Sequence, residues 1–170
     1  MNRYSMADHE AIQKMAAAVV GELSASRKAV ATAESCTGGW LAKAITDISG
    51  ASEVFHYGIV SYSNGAKESL LGVQNKTLEE HGAVSEPVVI EMAKGALRLS
   101  GADISVAVSG VAGPTGGSQE KPVGTVWFAW ALRNSGKVKT ETSCQQFDGD
   151  RDLVRELTVV YALQGVMDRL

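Results

Sequence analysis

Short apolar runs alternate with helix-spaced apolar patterns along almost the whole of this chain, and no other feature narrows its fold as much. Strand-type runs occupy residues 29–33, 55–63 and 104–108. Two more, 123–132 and 138–147, flank Asn134-Ser-Gly136 and read as a β-hairpin. Helical spacing covers residues 8–26, with Ile12, Met15, Ala16, Val19, Val20 and Leu23 on one face. It returns through Trp40, Leu41, Ala44, Ile45 and Ile48, again around Lys67, Leu70 and Leu71, and from Val89 to Leu97. A last stretch starts at Gly149-Asp-Arg151. Asp8 and Ser85 are placed to cap helices, and Gly72 and Gly82 to stop them. The alternation predicts an α/β fold: a three-layer α/β/α sandwich around a mixed, mostly parallel sheet of about five strands, the hairpin supplying the antiparallel part. The 170 residues fit a single domain spanning the chain.

Charge and composition then exclude whole classes. The formal net charge is −3, whereas a protein that wraps phosphate backbones is usually basic, so no nucleic-acid partner is expected. The longest stretch without Asp, Glu, Lys or Arg, residues 104–119, is too short for a membrane span and is broken by glycines. No signal-type apolar core opens the chain. The two cysteines, Cys36 and Cys144, form no metal-type pair and no disulfide framework. These features point to a reduced, cytoplasmic protein.

In open α/β sheets, ligands bind beyond the carboxyl ends of the strands. Three polar segments fall there: 34–39, 62–67 and 109–117. In Glu34-Ser-Cys-Thr-Gly-Gly39, Ser35 lies in a strand-to-helix turn, where it is either a helix cap or a nucleophile. The amides of Thr37, Gly38 and Gly39 can face a developing oxyanion. Cys36 is a rival nucleophile or a small buried residue. His9, His56 and His81 bring no evident acidic partner, so a Ser-His-Asp triad lacks support; His56 can face the core. Lys67 is a candidate base if burial lowers its pKa, with Tyr62 near enough in sequence to share its site. Otherwise both are ordinary helix and packing residues. The loop Ser109-Gly-Val-Ala-Gly-Pro-Thr-Gly-Gly117 reads as a flexible connection or as an anion cradle. Arg151 and Lys121 are possible cations for it, unless Arg151 pairs with Asp148 or Asp152. The last helix and Trp127-Phe-Ala-Trp130 can serve a core or a dimer interface.

Five segments in order carry a resemblance: Ala33-Glu-Ser-Cys-Thr-Gly-Gly-Trp40, Gly58-Ile-Val-Ser-Tyr-Ser-Asn-Gly-Ala-Lys67, His81-Gly-Ala-Val-Ser-Glu-Pro87, the loop 109–117, and Lys121-Pro-Val-Gly-Thr-Val-Trp127. Together they resemble the C-terminal domain of the competence-damage-inducible CinA family, over nearly the whole chain. Single-domain members of that family are nicotinamide-nucleotide amidases. The resemblance implies hydrolysis of nicotinamide mononucleotide to nicotinate mononucleotide and ammonia, in pyridine nucleotide salvage. It implies Ser35 as nucleophile, Lys67 as general base and Tyr62 assisting, with no cofactor and no metal. Larger members carry an additional domain linked to metal-dependent ADP-ribose pyrophosphatase activity, which is not expected here. Many relatives have an acidic residue where this chain has Thr115. The residues expected to bind substrate are Cys36, Thr37, Gly38 and Gly39 of the turn, Ser109, Gly110, Ala112 and Gly113 of the loop, and Arg151. The other outcomes to weigh are a non-catalytic nucleotide-binding regulator and an interaction protein of DNA uptake. A homo-oligomer, dimer or higher, is expected.

Overall fold

A computed structural model describes residues 9–170. Five strands, β1 (Val30–Glu34), β2 (Phe55–Val60), β3 (Ile104–Gly110), β4 (Thr125–Asn134) and β5 (Lys137–Gln146), form one sheet in the order β2-β1-β3-β4-β5. β2 and β3 lie parallel to β1, β4 is antiparallel to β3, and β5 is antiparallel to β4. Four strands therefore run one way and β4 alone is reversed. The helices are α1 (His9–Ser26), α2 (Trp40–Thr46), α3 (Asn64–Leu71), α4 (Asn75–His81), α5 (Glu86–Ser100) and α6 (Arg151–Met167), with a 3-10 turn at Ala51–Glu53. The expected three layers are present. α1, α2 and α6 bury their apolar residues with Val30, Val106, Val108, Phe128 and Trp130 on one sheet face. α4, α5 and the end of α3 cover Ala33, Ala107, Ala129 and Ala131 on the other. The strand period of two sorts large residues to the first face and alanines to the second.

Several local expectations change. The capping role expected of Asp8 lies outside the described residues. Ser85 precedes α5, but its hydroxyl donates to Gly82 O at 2.7 Å and caps nothing. β2 stops at Val60, not Ser63, because the Ser61 and Tyr62 carbonyls accept from the Lys67 amine and Ser63 caps α3 through the Ala66 amide. The hairpin is tighter than expected. Only Ser135 and Gly136 turn the chain, both at positive φ, the geometry a two-residue turn of matching twist requires. Phe128 and Trp130 are fully buried, and the Trp130 indole donates to Ala162 O, so this strand belongs to the core. Among the described residues, no helix is long and apolar enough to cross a membrane.

The chain leaves β1 on one side through α2 to reach β2, then crosses to β3 on the other side of β1 through α3, α4 and α5. The order reverses at β1, and a crevice opens beyond its carboxyl end.

Candidate active site

Four strand ends converge on that crevice. β1 delivers Ser35 and Cys36, β2 leads into Tyr62 and α3 with Lys67, β3 ends at Ser109 and Gly110, and β5 is followed by Arg151 at the start of α6. These residues, with Ala83, Val84, Val111, Ala112, Gly113 and Thr115, line one open cleft of about 260 Å³. Among the described residues, Lys67 and Arg151 are the only charged groups in its lining.

Lys67 is only 1% exposed. Its amine lies 3.0 Å from Ser35 Oγ, 2.8 Å from Ser61 O and 3.3 Å from Tyr62 O. Burial lowers its pKa from the usual lysine value, because the interior disfavours the ammonium. A neutral amine has two N–H donors and one lone pair. As an ammonium, Lys67 donates to all three oxygens; in the neutral form the two carbonyls would take both donors and leave the lone pair facing Ser35 Oγ.

Ser35 is presented by a turn held on all sides. Its amide donates to Val108 O, and its carbonyl accepts from Gly38 N. The Glu34 carboxylate is wholly buried and accepts from Thr37 Oγ1 at 2.6 Å, Gly39 N at 3.0 Å, Leu41 N at 3.0 Å and Ala42 N at 2.8 Å. It supplies the acceptors that the start of α2 needs, since the N-cap is Gly39 and has no side chain to offer. Sequence reasoning passed over Glu34. Its role shows only once the structure places Gly39 at the cap, because a helix capped by glycine has no side-chain acceptor of its own. On the opposite side, Arg155 of α6 donates to Cys36 O and Thr37 O and stacks over Trp40. No local pattern links residues 119 positions apart.

The turn's internal bonds correct the oxyanion expectation. Gly38 N and Gly39 N are spent within the turn, and Thr37 is fully buried. Thr37, Gly38 and Gly39 are outside the cleft lining and border a separate hollow with Trp40, Lys43 and Arg155. The other expected site residues meet in the cleft.

Cys36 lines the cleft, and burial pushes its thiol up to about 12, which disfavours the thiolate. Tyr62 is 61% exposed, and its hydroxyl accepts from Arg151 at 3.2 Å rather than bonding to Ser35 or Lys67. Arg151 also donates to Gly113 O at 2.7 Å, which ties three walls of the cleft together and replaces the pairing with Asp148 or Asp152. A guanidinium has five N–H donors, so three remain for an anion. Ser109 donates to Ala83 O and holds the loop before α5. Lys121 donates to His81 O, outside the cleft. His56 is exposed rather than core-facing, and none of the three histidines lines the cleft. Among the described residues, no group of three or more His, Cys, Asp or Glu is arranged to hold a metal ion.

This geometry has close relatives. The chain is 55% identical over 159 residues to the nicotinamide-nucleotide amidohydrolase PncC of Escherichia coli K12, covering 94% of each protein. It is 58% identical over 150 residues to the protein of the same name from Enterobacter agglomerans, covering 86% of this chain and 90% of that one. Among solved structures, a competence damage-inducible protein A from Klebsiella pneumoniae superposes with a TM-score of 0.88 at 44% identity, over 93% of this chain and 96% of that one. A CinA superfamily protein from Escherichia coli gives 0.89 at 36% identity, over 100% and 99%. The family described as the CinA C-terminal domain matches residues 12–170. On that match and on relatives sharing more than half of its residues, the chain belongs to the CinA C-terminal domain family.

Proposed function

We propose that this protein hydrolyses the carboxamide of nicotinamide mononucleotide, releasing ammonia and nicotinate mononucleotide, with Ser35 as nucleophile and Lys67 as general base. The observation that carries the mechanism is the buried Lys67 amine 3.0 Å from Ser35 Oγ. The substrate follows from the relatives named nicotinamide-nucleotide amidohydrolase. It also suits a cleft lined by the cationic side chains of Lys67 and Arg151.

In this reading the neutral Lys67 amine takes the Ser35 proton as Oγ attacks the carboxamide carbon. The residue after the nucleophile, Cys36, borders the cleft, and its amide is the donor assigned to the oxyanion. The Gly38 amide holds the Ser35 carbonyl, and in a trans peptide this turns the Cys36 N–H to the opposite side. The tetrahedral adduct collapses as the Lys67 ammonium returns a proton to the departing nitrogen. Ammonia leaves, and the acyl group remains on Ser35 as an ester. Water, deprotonated by Lys67, cleaves the ester, and the Lys67 ammonium returns that proton to Ser35 Oγ as the acid leaves. The unused donors of Arg151, with the amides of Ala112 and Gly113, receive the phosphate. Tyr62 assists through Arg151, whose guanidinium its hydroxyl helps to hold. No step calls on a metal or cofactor. The same reading takes the chain as one domain forming a homo-oligomer in the cytoplasm, its two cysteines free.

Ser35→Ala is expected to abolish ammonia release while leaving the circular dichroism spectrum unchanged. Full activity in that variant removes Ser35 from the mechanism, and loss confined to Cys36→Ala transfers the role to the thiol.

A further inference from the structure

The nucleophile turn contains two consecutive glycines, Gly38 and Gly39, both at positive φ. Such a segment has more backbone freedom than any other two residues would give it. Glu34 restrains its donors. The carbonyls that follow the nucleophile are restrained from a different element. Arg155 Nε donates to Cys36 O at 3.2 Å, and its NH2 group donates to Thr37 O at 3.1 Å. The guanidinium plane is steadied by the Trp40 ring, with 5.3 Å between the guanidinium carbon and the ring centroid. Among the described residues its ion pair is with Asp152, which is exposed and 3.8 Å away, too weak a partner to account for this placement.

We propose that Arg155 is a positioning residue for the nucleophile: from α6 it fixes the two carbonyls that follow Ser35 and so keeps Oγ aimed at the Lys67 amine. The proposal rests on the amidase reading above. Arg155 is not among the residues lining the cleft, so it acts through the backbone that follows Ser35. It stands one helical turn beyond Arg151 on α6, so the helix that offers a cation to the substrate also holds the nucleophile in place. Lysine cannot take over this work. It presents a point charge where two carbonyls need a planar fork.

The test is ammonia release from nicotinamide mononucleotide by wild type, Arg155→Met, Arg155→Lys and Arg155→Ala. A slight misalignment of a nucleophile costs roughly 10- to 100-fold in rate. The expected result is a fall in kcat of that size in all three variants, with KM nearly unchanged and the pH profile unmoved. The Arg155 side chain borders an open hollow. Millimolar methylguanidinium is therefore expected to restore part of the kcat of Arg155→Ala while leaving wild type unaffected. Unchanged kcat, a loss confined to KM, or a loss that methylguanidinium does not relieve each overturns the proposal. The rate at which a fluorophosphonate labels Ser35, followed by intact mass, reads the nucleophile without the natural substrate. If wild type labels but releases no ammonia, the amidase reading fails. If wild type and Arg155→Met label equally fast, the Arg155 proposal fails.

Discussion

Lys67 gives its amine to one hydroxyl and two carbonyls, and burial holds it toward the neutral form. Two consequences follow at this scale. In the proposed mechanism the rate needs the neutral amine, so kcat/KM is expected to rise with pH along a limb that lies below the usual lysine value of 10.5. Stability responds as well. The folded pKa is lower than the unfolded one, so between the two values the unfolded chain binds more protons and stability rises with pH. Lys67→Met removes that dependence along with the activity. Urea midpoints of wild type and Lys67→Met are expected to move apart in favour of wild type as pH climbs toward 10.5, and a gap independent of pH contradicts the assignment. Ser35 and Lys67 were legible as candidates from their places after two strands, but their roles came only from the family resemblance. Glu34 was not, because a carboxylate that caps a helix from inside a strand follows no standard spacing.

The helix that carries Lys67 is placed by a glycine in another helix. A Cβ on Gly95 of α5 would lie 2.0 Å from Leu71 O, at the end of α3. Gly95→Ala therefore forces the two helices apart. Overpacking of this kind costs about 1–3 kcal/mol. A lowered melting temperature is expected, together with a reduced kcat as Lys67 moves off Ser35. An unchanged melt means the contact relaxes without moving α3. The helical periodicity of α5 was plain in the sequence, but the glycine within it carried no sign of what lay against it. α3 and α4 stop as read, at Gly72 and Gly82, whose positive φ suits glycine. The strand ends were harder to place, since the ladder, not the composition, decides where pairing stops. β3 runs two residues past its expected limit because Ser109 and Gly110 still pair with β4.

Across the whole molecule, the two sheet edges differ. β5 carries Lys137, Lys139 and Glu141, charges that discourage a further strand. β2, Phe-His-Tyr-Gly-Ile-Val, carries none and leaves Tyr57 and Val60 exposed. An open apolar edge is a template for pairing, so light scattering on the purified protein is expected to give a dimer or larger, and Tyr57→Lys to shift it toward monomer. A wild-type monomer ends that expectation. The sequence by itself determined the layers and the sheet, because period-two and helical patterns report burial residue by residue. It also determined which strand ends bear polar groups, since turns announce themselves through glycine, serine and proline. Only the tertiary structure decided which of those groups meet. Strand order β2-β1-β3 brings residues 35 and 67 within one hydrogen bond, while the return of α6 brings Arg151 to the cleft and Arg155 to the nucleophile turn. Such contacts depend on chain crossings that no local pattern encodes.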